Sequence, residues 1–194
     1  MSLAAHLCRM ARNNRWSNDR LYRAVLSLRP GEFEAPRTSF FPSIAETLNH
    51  VLAVDLYYLD ALKQGGVGPA AFQQFNPYGV AAELEAAQRR WDEDLITFCD
   101  GLTDDDMERR VVTDRGEAGR FPERICDLLA HLFIHDIHHR GQVHAMLAGT
   151  SVEPPQLDEF FLDFDVPLRR EEMGRLGISE HREDRSEEHT SELQ

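Results

Sequence analysis

Four histidines fall within nine residues of this chain: His131, His135, His138 and His139, with His144 shortly after. On a helix, residues four apart lie one above the other on the same face. That spacing sets His131, His135 and His139 along one slowly drifting stripe, with His138 beside His135. Two imidazoles one turn apart can aim their nitrogens at a single divalent ion. The spacing admits two such pairs, His131 with His135 and His135 with His139. A histidine on an amphipathic helix is more often a packed or solvated side chain than a ligand. Here, however, the cluster sits in the apolar run Ile125 to Leu147, where several neutral imidazoles would each need a buried hydrogen-bond partner. The stretch therefore looks like half of a metal site whose remaining ligands lie elsewhere in the chain.

Other parts of the chain must supply the elements that position it. Leu7, Met10, Ala11, Trp16, Leu21, Val25 and Leu28 give a broken helical period over about residues 4–28. Asn13, Asn14, Ser17 and Asn18 weaken that helix, so packing must hold it, and Pro30-Gly31 stops it. A second helix is predicted from Ser43, an N-cap with Glu46 three residues on as in a capping box, to about Gln64, ending at Gly65-Gly66. Apolar residues cover most of its circumference, which suits a helix buried on several sides. Its one histidine, His50, would on its own read as a core residue. A third helix spans about residues 80–99. Residues 107–121 read as a short extended excursion or hairpin, and Pro122 is expected to open the histidine helix, which ends at Gly149. The aromatic segment Phe160 to Phe164 is expected to fold back over the bundle. The division is a bundle domain over 1–168, a polar tail over 169–184, and a foreign segment over 185–194. That last string resembles the in-frame translation of a common sequencing adapter and is excluded from fold reasoning.

The chain has 194 residues, enough for one domain with a real core, and a formal net charge of −13. Setting aside the foreign segment, which carries one Arg and three Glu, leaves it strongly acidic. Such a surface repels phosphate backbones and anionic membranes, so neither nucleic acid nor membrane is an expected partner. The pairs Arg89-Arg90, Arg109-Arg110 and Arg169-Arg170 read as solvated faces. No apolar run is long enough to span a bilayer, and no secretory signal is visible. Cys8, Cys99 and Cys126 are odd in number and far apart, which points to a reducing cytoplasm rather than a disulfide frame.

Four helices of bundle length, a histidine in the second and a histidine pair in the fourth together resemble the DinB family. The matching residues are Asn49-His50 with Asp55 after it, and Ala130-His131 through His135-Asp136-Ile137-His138-His139-Arg140-Gly141-Gln142. Ala11 to Asn18 and Pro155 to Asp158 are similar as well. The resemblance covers about residues 1–165, and its His-His-Arg-Gly-Gln string is the most specific part. It implies an all-α four-helix bundle with a C-terminal segment packed on it. It also implies a divalent metal held by His50, His135 and His139, with His131 and His138 in supporting roles and His144 elsewhere. Zinc is the expected ion, with nickel, iron and manganese as alternatives. Three histidine ligands leave positions open, the arrangement of a catalytic rather than a structural site. The implied function is a metal-dependent enzyme of the thiol S-transferase type in stress response or detoxification. Its small-molecule substrate would be a low-molecular-weight thiol, and a homodimer is expected. The alternatives are a metal-dependent hydrolase and a non-catalytic, metal-stabilised stress-response dimer. Asp55, Asp136 and Glu46 are the candidates for a general base.

Overall fold

The computed structural model describes residues 1–179; the adapter-like segment 185–194 lies outside the described residues. Four long helices make the body: α1 (Leu3–Val25), α2 (Ile44–Leu62), α4 (Ala81–Asp100) and α5 (Ile125–Leu147). A short α3 (Ala70–Gln73) interrupts the loop after α2, and α6 (Val166–Leu176) follows the bundle. Among the described residues the only sheet is a hairpin of β1 (Arg110–Asp114) and β2 (Arg120–Arg124), antiparallel with Val112 opposite Pro122.

α1 packs against α4 and α5, and α2 packs against the same two helices. α1 and α2, and likewise α4 and α5, thus lie across diagonals, which the long connections 26–43 and 101–124 make feasible, whereas α2 and α4 are neighbours. A bundle with short loops would instead seat consecutive helices side by side. The arrangement brings α2 and α5, the two histidine-bearing helices, face to face.

Local signals explain most helix ends. Ser43 caps α2, its side chain accepting from the Glu46 backbone N–H at 3.1 Å. α2 ends at Leu62, and Gly66 just beyond it has φ +80°, a left-handed conformation that suits glycine. The core runs the length of the bundle through Leu21, Ile44, Leu84, Leu95, Ile125, Leu129, Leu132 and Leu147, each fully buried.

α1 holds together despite its Asn and Ser residues because they are buried and bonded across the bundle. Asn14 and Asn18 donate to Asp92 Oδ1 on α4 at 3.3 and 2.9 Å. Arg140 of α5 donates to Asn14 and, at 3.0 Å, to Asn18. Burial pushes the Asp92 carboxyl up to about 7, against the pull of Arg15.

The structure revises four expectations. Pro122 does not open the histidine helix; it lies in β2, and α5 begins at Ile125. A two-stranded ribbon has only edges, so a proline missing its N–H is tolerated there. α1 ends at Val25, short of the expected residue 28. Residues 169–176, expected to begin a polar tail, complete α6. Arg169, expected on a solvated face, is buried at 1% exposure, donating to the Leu162 carbonyl and lying 5.5 Å from the Phe160 ring centroid. Its partners come from the folded-back aromatic segment, which pairwise charge patterning cannot reveal. The other five arginines of those pairs are exposed.

Candidate metal centre

α2 contributes His50 and α5 contributes His135 and His139 to one end of the α2–α5 interface. One ligating atom from each of the three lies within 4.8 Å of the others. The Nε2 atoms of His50 and His135 are 3.1 Å apart. The ring centroids stand 5.1 Å apart for His50–His135, 4.7 Å for His50–His139 and 4.4 Å for His135–His139. Two imidazole nitrogens facing each other this closely must either share a proton or turn their lone pairs to a common cation. The donor set therefore fits a divalent ion of the zinc class, whose ligand nitrogens sit about 2.0–2.1 Å from the metal.

Surrounding groups set the chemical state of these rings. Burial, then His139 and His135, hold His50 down to about 4, and burial likewise lowers His139. Both imidazoles are thus neutral at pH 7, the form that ligates metals. His139 Nδ1 lies 2.8 Å from Gln142 Oε1, an acceptor, so the proton belongs on Nδ1 and the Nε2 lone pair stays free. The Gln142 amide in turn donates to His138 Nε2 at 3.1 Å. Gln142 thus links His138 to the orientation of His139.

Behind His135 lie two fully buried carboxylates, Asp55 of α2 and Asp136 of α5. Asp136 Oδ1 is 3.5 Å from His135 Nδ1, and Asp55, His135 and Asp136 form a second group that could hold a metal. Gln88 donates to Asp55 Oδ2 at 2.7 Å. Burial, and next the charge of Asp136, push Asp55 well above the usual carboxylate range. Glu46 is exposed and takes the Ser43 hydroxyl at 3.3 Å in the cap of α2.

The three histidines open into a cleft of about 610 Å³. Phe41 stacks on His50 at 4.3 Å, and Tyr58 meets His131 edge-on at 5.2 Å. Phe40, Tyr57, Phe72 and Arg115 complete the rim. Burial first, then His135 and Arg115, lower His131. His131 and His138 therefore line the cleft beside the triad, whereas His144 borders a separate cavity of about 490 Å³ with Arg140 and Asp158. The sequence gives no separate sign of Phe41, Tyr58 or Arg115, which come from a loop, a helix and a hairpin. Gln142 stood out in the sequence only as part of the His-His-Arg-Gly-Gln string; its bond to His139 could have been anticipated, since it lies three residues on, within reach on the helix surface.

The DinB family's sequence profile matches residues 1–171. Protein DinB of Bacillus subtilis (strain 168) is 25% identical over 148 residues, covering 73% of this chain and 85% of that protein. The crystal structure of a DinB-like protein from Bacillus subtilis superposes with a TM-score of 0.55 at 15% identity, covering 76% of this chain and 96% of that one. At that identity the superposition establishes the fold.

Proposed function

The chain belongs to the DinB family, and from that membership and its histidine cleft we propose a metal-dependent enzyme of the thiol S-transferase type. The observation that carries the reading is the convergence of His50, His135 and His139 at the floor of an aromatic cleft open to small molecules. These three residues would hold the ion, zinc by preference, with nickel, iron or manganese as alternatives. When bound, such an ion acts as a Lewis acid that eases ionisation of a thiol or water beside it. Gln142 keeps the His139 ligating nitrogen free of its proton. Asp55 and Asp136 back His135 without lining the cleft, so they act by orientation. The aromatic walls shield the reacting atoms from water. In the transfer, the thiol proton passes to solvent, sulfur bonds to an electrophilic carbon, and the leaving group departs with its electron pair. The physiological setting, stress response or detoxification, rests on family membership alone.

The test is to assay metal-loaded protein with an alkyl or aryl halide and a panel of low-molecular-weight thiols. Thiol consumption that needs metal and disappears in His135→Ala is expected. Turnover of esters or amides with no thiol consumed would select the metal-dependent hydrolase instead. Metal that raises the melting temperature without any turnover would select the non-catalytic bundle.

A homodimer belongs to the same proposal. Ile134 and Ile137 on α5 stay 66% and 51% exposed, and a second copy would cover them. Sedimentation at micromolar concentration is expected to show a dimer; a single species near 22.2 kDa would dismiss it.

A further inference from the structure

The charge of the cleft is opposite in kind to that of the chain. The protein carries 34 acidic residues against 21 basic ones. Yet among the described residues no Asp or Glu lines the histidine cleft, and Arg115 is its one Lys or Arg. Arg115 stands at the hairpin tip, exposed at the cleft mouth. Its Nη1 donates to Tyr58 Oη at 3.0 Å, and its guanidinium carbon lies 5.6 and 5.3 Å from the ring centroids of Tyr57 and Tyr58. Among the described residues it has no carboxylate within ion-pair distance, and Glu123 acts on it only from farther away. Its neighbours on the hairpin are otherwise engaged: Arg124 pairs with Glu108 and Asp127, and Arg120 with Asp114.

The position is also built. Tyr57 Oη donates to the Asp114 carbonyl at 2.6 Å, tying the hairpin tip to α2. The Arg115 backbone N–H donates to the Gly119 carbonyl at 2.8 Å, and Gly116 takes φ +64° to make the turn. A guanidinium held against two rings loses little freedom on binding, and its planar fork matches a carboxylate. Tyr58 follows His50 by eight residues, about 12 Å of helix rise. Among the described residues the cleft thus offers imidazoles at one end, aromatic surface between, and at the other a cation with no carboxylate partner.

We infer that this cleft takes an elongated, carboxylate-bearing small molecule whose anionic end docks on Arg115 while its other end lies at the histidines. The inference rests on the reading of the cleft as a substrate site and names the class of substrate it selects. Arg115 is a specificity-determining residue, touching the ligand remote from the reacting atoms.

The test uses 4-phenylbutyrate and its neutral amide as probes, with dissociation constants measured by ligand-observed NMR on the metal-loaded full chain. The acid should bind at least about tenfold tighter than the amide, as one charge-assisted contact allows. Arg115→Gln should bring the ratio close to one, and Arg115→Lys should keep a reduced preference. His135→Ala should retain the preference, because the anchor is not the metal. Equal binding of acid and amide, or no binding of either, would overturn the inference. So would a preference that survives Arg115→Gln and vanishes in His135→Ala, since the carboxylate would then be at the ion. Thiol consumption plays no part in this readout: a preserved acid preference without thiol turnover would remove the transferase reading alone.

Discussion

At the scale of single residues, the site depends on groups that fix its histidines as much as on the histidines themselves. Gln142 leaves the His139 Nε2 lone pair free by accepting a hydrogen bond from Nδ1–H at 2.8 Å, which holds the ring proton on Nδ1. Gln142→Leu should therefore weaken metal affinity by about 10- to 100-fold, the usual cost of losing such a partner. A competition titration with a chromophoric chelator measures it, and unchanged affinity would show that Gln142 does not orient the ring. Asp92 makes a separate prediction. Its folded carboxyl titrates near 7 against an ordinary 3.8. Between those values the folded state keeps a proton that the unfolded chain has released. This group's contribution to stability is thus full below about pH 4 and is lost as pH rises through about 7. Asp92→Asn should flatten that part of the pH dependence in urea titrations; an unchanged slope would place the titration elsewhere. The histidine stripe was legible because spacing alone marks a helix face. Spacing left two pairs open, and the resemblance selected His135 with His139, the pair the structure brings together with His50. Arg115 and Phe41 were illegible because their contacts join segments far apart in sequence.

At the scale of elements, α2 was the most readable, since its cap at Ser43 and its glycines beyond Leu62 are local chemistry. α6 was the least readable. Five of its eleven residues are charged, and it is helical because it docks on α1. Trp16, Phe160 and Met173 form a small separate core there. Trp16 Nε1 donates to Glu172 at 2.7 Å, and Arg175 pairs with Asp19 at 2.6 Å. Met173→Ala should cost about 2 kcal/mol, the lower end for a buried methionine because the site is shallow. Chemical denaturation gives that number. Metal content should not change, because α6 is not part of the cleft; a variant that lost metal would mean that α6 supports the site. The misplaced start of α5 has a similar origin. Proline suits the first turn of a helix and also an unpaired strand edge, and only the pairing of Val112 with Pro122 distinguishes the two.

At the scale of the whole molecule, two diagonal connections bring α2 against α5, and a hairpin and an aromatic loop close the cleft they form. Among the described residues no helix is long and apolar enough to cross a membrane. The bundle has an apolar core independent of the histidines, running through Leu21, Leu95, Leu129 and Leu147. Loss of a ligand should thus remove the ion and spare the fold. The most direct measurement is elemental analysis of the purified protein beside His50→Ala, His135→Ala, His139→Ala and His144→Ala, with helicity followed by circular dichroism. The wild type and His144→Ala should each carry about one divalent ion per chain, and the other three variants should carry none while remaining helical. A metal-free wild type after divalent-ion loading, or a His144 variant that loses metal while the His139 variant keeps it, would contradict the tri-histidine centre.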